Sequence, residues 1–263
     1  MKKFLPRILL PFATGVLLLA AWYVRRATLD EDTRFLLPSP GQVITAFSEN
    51  RDALVRAAMN TTKGALLGFG AAVVVSLVSA VILSLSQWVR WALYPFLMML
   101  QMTPVIFLAP ILVLWIGAGL QSVSVITFLI SFFPLVVNTT QGMISVDRNL
   151  VELFRMQRAR LWQEIAHLRL PAALPYFFTG LRIVAVLAPI GAMVGDYTAG
   201  SSAGDGGGLG FLAIIYSSQA KYSALFATAA IGCALGFIFT AAVLGLSWLA
   251  LHHWHDSYER SDK

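Results

Sequence analysis

The sequence predicts an all-α membrane protein: about six transmembrane helices, with a short amphipathic helical interruption between spans four and five. Three observations carry this. Of the 263 residues, 58% are apolar, and mean hydropathy is +0.74. Only 12% are charged, about half the usual soluble fraction, which is too few to cover a soluble globule of this size. The apolar runs are also long. A bilayer crossing takes about 20 residues, so the length divides into roughly six crossings plus their connections.

The net charge of +6 does not imply a nucleic-acid partner, because basic residues also orient proteins in the lipid bilayer. The single cysteine, Cys233, lies in an apolar run. It excludes an intramolecular disulfide framework and a multi-cysteine metal site.

Lys2, Lys3 and Arg7 precede an apolar run over residues 8–24. The run is long for a signal peptide and no A-x-A cleavage site follows it, so it is expected to be a retained first span with a cytoplasmic N-terminus. Residues 25–60 are the most polar long stretch and are expected to form an ordered connection with short interfacial helices, outside the cytoplasm. Ser39, in Leu37-Pro38-Ser39-Pro40, is placed to cap a helix over residues 41–47. Span two, residues 61–85, carries Gly64, Gly68, Gly70, Ala71 and Ala72, small residues that allow close helix contact in lipid. Span three, residues 91–116, contains Pro104 and Pro110, which kink a membrane helix without forbidding it. Span four covers residues 122–137, and residues 138–150 return to water.

The polar interruption, residues 151–175, carries Arg155, Arg158, Arg160 and Arg169. Leu161, Ile165 and Leu168 recur at helical spacing. Leu170-Pro171 is expected to stop that helix, since proline has no amide donor and clashes with the preceding turn. Span five covers residues 172–194, a glycine-rich stretch follows, and span six is Tyr222–Leu251. The whole chain, 1–263, reads as one transmembrane domain with its core spans at 61–251.

An even number of spans puts both termini on one side. With the N-terminus inside, eleven basic residues fall in cytoplasmic segments and seven on the other side, while Arg182 lies within span five. The bias favours cytoplasmic termini and a cytoplasmic position for the polar interruption. Arg25 and Arg26, directly after span one, run against it.

Few residues suggest chemistry. The glycine-rich segment from Gly195 to Gly210 has no Lys-Ser or Lys-Thr after its last glycine, so it is not a phosphate loop. It reads either as a flexible loop or as a lining of the outer mouth of a pathway. Arg182 and Asp196 lie roughly 20 Å apart along one helix and cannot pair. Asp196 is expected at the membrane interface, and neither residue supports a proton relay. His252, His253 and His255 do not share a helical face and carry no metal-ligand pattern. Ser76, Ser79 and Ser124 have no histidine near them for nucleophilic catalysis. Methionine and aromatic residues of spans three and four, among them Met102 and Phe107, suit either packing or a planar organic solute.

Residues 152–171 resemble the signature of bacterial ABC-importer permeases: E-A-A, three residues, G, nine residues, I, one residue, L-P. Glu152 matches the E, Leu153 and Phe154 stand for the alanines, Arg158 stands for the glycine with Ala159 after it, Leu168 stands for the isoleucine, and Leu170-Pro171 matches the L-P. LPSPGQV from Leu37, TPVIFLAPILVLWIGAG from Thr103 and GGGLGFL from Gly206 resemble the subfamily importing nitrate, sulfonate, taurine and the pyrimidine precursor of thiamine. The resemblance implies a permease of the bacterial cytoplasmic (inner) membrane, not itself an enzyme and without a cofactor. Two permease chains, the second a copy of this one, would form the pathway. A cytoplasmic ABC ATPase dimer would bind the coupling helix at 151–171, and a periplasmic or surface-tethered substrate-binding protein would deliver the solute. Leu153, Phe154, Leu161 and Trp162 are the expected apolar anchors to the ATPase, and Arg155, Arg158 and Arg160 the expected rim contacts. Asp196, Met102 and Phe107 are the candidates for the pathway or its gate. The expected solute is small and organic, such as a sulfonate or a pyrimidine precursor. The alternative is a secondary transporter or channel working without an ATPase, which would conduct on its own.

Overall fold

The computed structural model describes residues 4–200 and 207–251, and every regular element among them is helical. The histidine-rich tail and part of the glycine-rich stretch (residues 201–206) lie outside the described residues. In chain order the helices are α1 (Phe4–Ala27), α2 (Pro40–Glu49), α3 (Arg51–Leu85), α4 (Gln87–Met102), α5 (Val105–Ile116), α6 (Leu120–Ile144), α7 (Arg148–Met156), α8 (Leu161–Glu164), α9 (Leu170–Ala199), α10 (Leu209–Ser218) and α11 (Tyr222–Leu251). A 3₁₀ turn, Arg34–Leu36, precedes α2, and a π-turn, Ile165–Arg169, joins α8 to α9. Five helices are long and apolar enough to cross a membrane, and six crossings result if α4 and α5 are counted as one broken span.

Helix α6 is packed between α3 and α9. Their shared core is made largely of small residues, Ala65, Ala185, Ala188 and Ala192, around Val123, Leu135 and Val184. Without a hydrophobic drive between helices in lipid, such contacts depend on backbones coming close. Two glycines make this concrete. A Cβ on Gly68 of α3 would sit 2.5 Å from the Ser124 carbonyl oxygen, and one on Gly195 of α9 would sit 2.9 Å from the Val123 Cα. Gly70, by contrast, faces open space.

The expected elements are present with different bounds. Helix α3 begins at Arg51, so the connection after α1 is shorter than expected and the first turns of α3 are polar. Ser39 does cap α2: its hydroxyl accepts from the Gln42 N–H, and the Gln42 side chain accepts from the Ser39 N–H, a complete capping box. Span three is not a kinked rod. Helices α4 and α5 meet at 99°, because Thr103 and Pro104 are both extended, and a residue before proline is pushed out of the helical region. Helix α6 runs on to Ile144. Cys233 lies on an exposed face of α11.

Helix α1 stands apart. No residue of its apolar window is buried. It is held at its far end, where Trp22 donates to the Pro38 carbonyl at 3.0 Å and its ring packs on Phe226.

Candidate functional site

The polar interruption folds as two short legs. Asp147 caps the first leg, α7, by accepting the Asn149 N–H at 2.9 Å. Leu150, Leu153 and Phe154 recur at helical spacing along α7 and define one apolar face, yet no residue of α7 is buried. Leu153 is 47% exposed. On the polar side Arg148 and Glu152 pair at 3.2 Å. An isolated amphipathic helix this short is unstable in water unless its apolar face finds a partner.

The end of α7 is specific. The Ala159 N–H donates to the Phe154 carbonyl and the Arg158 N–H to the Arg155 carbonyl, both at 3.0 Å. This pair of bonds is the Schellman motif, which requires a left-handed residue at the position of Arg158. Arg158 has φ of +56°. The chain then turns into α8, where Leu161 and Trp162 are more than half exposed.

The return leg is anchored. Glu164 and Arg169 form an almost fully buried ion pair at 2.6 Å, and Arg169 also donates to the Ser84 carbonyl at 2.9 Å. Ser84 belongs to the last turn of α3, whose carbonyls lack helical partners. Arg90 reaches the neighbouring Leu83 carbonyl at 3.4 Å. The expected helix stop at Leu170-Pro171 does not occur. The Leu170 N–H reaches back five residues to the Ile165 carbonyl, and Pro171 falls in the first turn of α9, where a missing N–H is tolerated. The π-turn therefore carries the helix through the proline and into the membrane core, as one rod from Leu161 to Ala199. Leu168 is half-buried on it.

At the far end of α9 the structure corrects the placement of Asp196. It is 4% exposed, not at a wet interface. The Thr61 hydroxyl of α3 donates to its Oδ2 at 2.5 Å, the Gly210 N–H donates to the same carboxyl group, and Thr61 Oγ1 accepts the Leu209 N–H at 2.9 Å. Asn60 adds a bond to the Gly207 carbonyl. A side chain at Gly208 or Gly210 would collide with Asp196 or the α9 backbone. The described part of the glycine-rich stretch is thus a packed seam seating α10 on α3 and α9, not a loose loop.

The three pathway candidates do not converge. Met102 and Phe107 flank the α4–α5 bend, 78% and 73% exposed, while Asp196 is enclosed. A cavity of about 800 Å³ opens between α5, α9, α10 and α11. It is lined by Ile106, Met193, Tyr197, Leu209 and Phe237 among others, but by none of the three. The described residues hold no cluster able to bind a metal. Sequence reasoning missed Glu164, because a carboxylate five residues before Arg169 lies off its face of a regular α-helix. It also missed Thr61, for which no local signal exists.

Comparison with known proteins agrees with this architecture. Residues 64–258 match the family model of the binding-protein-dependent transport system inner membrane component. The chain is 32% identical to the formylaminopyrimidine transport permease protein ThiX of Halalkalibacterium halodurans, over 90% of this chain and 92% of that one. It is 34% identical to the riboflavin transport system permease protein RibX of Chloroflexus aurantiacus, over 74% and 73%. It is 29% identical to the putative aliphatic sulfonates transport permease protein SsuC of Escherichia coli, over 81% and 79%. The match spans α3 to α11 and the relatives are transport permeases rather than enzymes, so the chain belongs to the binding-protein-dependent transport system inner-membrane components, the permease subunits of ABC importers.

Proposed function

We propose that residues 151–171, from the second half of α7 through α8 and the π-turn to the start of α9, are the lever through which a cytoplasmic ABC ATPase dimer drives this permease. The observation that carries this reading is an amphipathic helix with no buried residue, connected through a buried ion pair to the end of α3 and the start of α9. Leu153, Phe154, Leu161 and Trp162 enter the ATPase surface, and Arg155, Arg158 and Arg160 contact its rim. Both termini lie in the cytoplasm, a second copy of the chain completes the pathway, and a substrate-binding protein delivers the solute on the opposite side. ATP binding draws the two ATPase subunits together and displaces both levers, the spans reorient to open outward, and hydrolysis resets them. The relatives' names, formylaminopyrimidine and aliphatic sulfonates, support a small organic solute.

The test is the double substitution Leu153→Asp with Phe154→Asp, assayed with the ATPase in reconstituted vesicles. Since α7 is not part of the core, the bundle should stay folded while ATPase binding and solute-stimulated hydrolysis are lost. Full binding and full stimulation would rule the lever out.

A further inference from the structure

The end of the bundle opposite α7 holds a polar cavity of about 580 Å³, between the end of α1, the 3₁₀ turn, α2 and the start of α11. Arg26, Arg34 and Lys221 line it, with Glu49 as its one carboxylate, and none of the four forms an ion pair among the described residues. Asp30, Glu31 and Asp32, on the same connection, are exposed and pair with none of these cations either. Arg26 donates to the Leu37 carbonyl at 3.1 Å and to Gln42 Oε1 at 3.2 Å; Arg34 donates to the Leu29 carbonyl at 3.4 Å. A guanidinium carries five N–H donors, so most remain available. The Arg34 Nε is itself enclosed and finds no acceptor among the described residues. The first turn of α11, Tyr222 to Ala224, also lines the cavity, which adds the positive end of a long helix.

We propose that this cavity binds the phosphate of an anionic phospholipid headgroup, in the leaflet away from α7. The surroundings favour a lipid over a free anion. Helix α1, which has no buried residue over Leu9–Ala27, ends at the rim. Phe35, Leu36, Ile44 and Phe47, on the segments that build the cavity, are 42–70% exposed. Cations beside outward apolar side chains are the pattern of a surface lying at headgroup depth. The site also gives Arg26, which opposes the charge bias of the chain, a local role.

The experiment is native mass spectrometry of the purified full chain in detergent, with phosphatidylglycerol, the matching diacylglycerol, or inorganic phosphate as probes. Phosphatidylglycerol should be retained over diacylglycerol. Arg26→Gln with Arg34→Gln and Lys221→Gln should lower that retention about tenfold, since charge-assisted bonds to phosphate are lost. Arg25→Gln, which removes a donor to Thr28 outside the cavity, should leave it unchanged. If the triple variant unfolds early on heating, the single Lys221→Gln substitution, on an exposed turn, should still reduce retention about threefold. Equal retention of phosphatidylglycerol and diacylglycerol, or undiminished retention by the folded variants, overturns the proposal. So does displacement of the lipid by millimolar inorganic phosphate, which would mark a free-anion site. Loss of substrate-binding-protein binding in variants that still retain the lipid would mark a protein-docking surface and overturn it as well.

Discussion

The two ends of α9 are fastened in opposite ways. At the α7 end the fastening is ionic: Glu164 to Arg169, then Arg169 to the last turn of α3, across a π-turn. At the α10 end it is a seam in which Thr61, Asp196 and the amides of Leu209 and Gly210 meet, with no room for a β-carbon at Gly208 or Gly210. An ion pair on long side chains tolerates displacement of its partners, whereas backbone-to-backbone packing does not. The difference bears on the proposed lever: on that reading the α7 end transmits a shift of α7, while the far end holds α3, α9 and α10 together.

The largest effect is expected from breaking the ionic end. Arg169→Met leaves the Glu164 carboxylate buried without its partner and should cost about 3 kcal/mol or more, read as earlier thermal unfolding in detergent and loss of coupled ATP hydrolysis. Adding Glu164→Gln removes the stranded charge, so the double variant should recover much of the stability. Coupling should stay impaired, because the link to Ser84 is still absent. Additive losses in the double variant would deny the pair its joint role.

A smaller effect, about 2 kcal/mol, is expected from Thr61→Val at the rigid end, which leaves the Asp196 carboxylate and the Leu209 N–H without the hydroxyl that joins them. Thr61→Ser should be nearly neutral. Hydrogen exchange should quicken at Leu209 and the amides that follow it, while ATPase stimulation per folded molecule stays close to normal. Loss of stimulation equal to that of Arg169→Met would erase the distinction between the two ends.

How much of this was legible follows from the range of the interactions. The apolar face of α7 depends on positions three and four apart, and the Ser39 cap on positions three apart, so both can be read locally. The ion pair cannot, because residues five apart do not share a face of a regular α-helix. Only the π-turn makes them neighbours. Asp196 was misplaced because its partner Thr61 is 135 residues away and nothing in the sequence near either one announces the other. Pro104 signalled a break in span three, but the 99° angle depends on how α4 and α5 pack on α6 and α9, which no local pattern encodes.

The smallest predicted effect bears on the lever's own shape. The family signature has glycine where this chain has Arg158, and the Schellman geometry supplies the reason: the position is left-handed, a region that costs an L-residue roughly 1–2 kcal/mol. Arg158→Gly removes that strain, although glycine also gives up more chain entropy on folding. The net expectation is a gain of about 0.5–1 kcal/mol for the α7 end, measured by slower hydrogen exchange at Arg158 and Ala159. If Arg158 were there only by tolerance, ATPase coupling would be unchanged or improved. If its guanidinium is a rim contact, coupling should fall while the turn becomes more stable. Opposite signs of stability and coupling in one variant therefore separate the backbone role of the position from its charge. The triple variant Leu153→Ala, Phe154→Ala, Arg158→Gly carries the same comparison to the whole lever. If the ATPase surface fits the bulkier groups, as the proposed lever implies, this variant should keep the turn yet couple poorly to the native ATPase; unchanged coupling would mean that the ATPase does not read them.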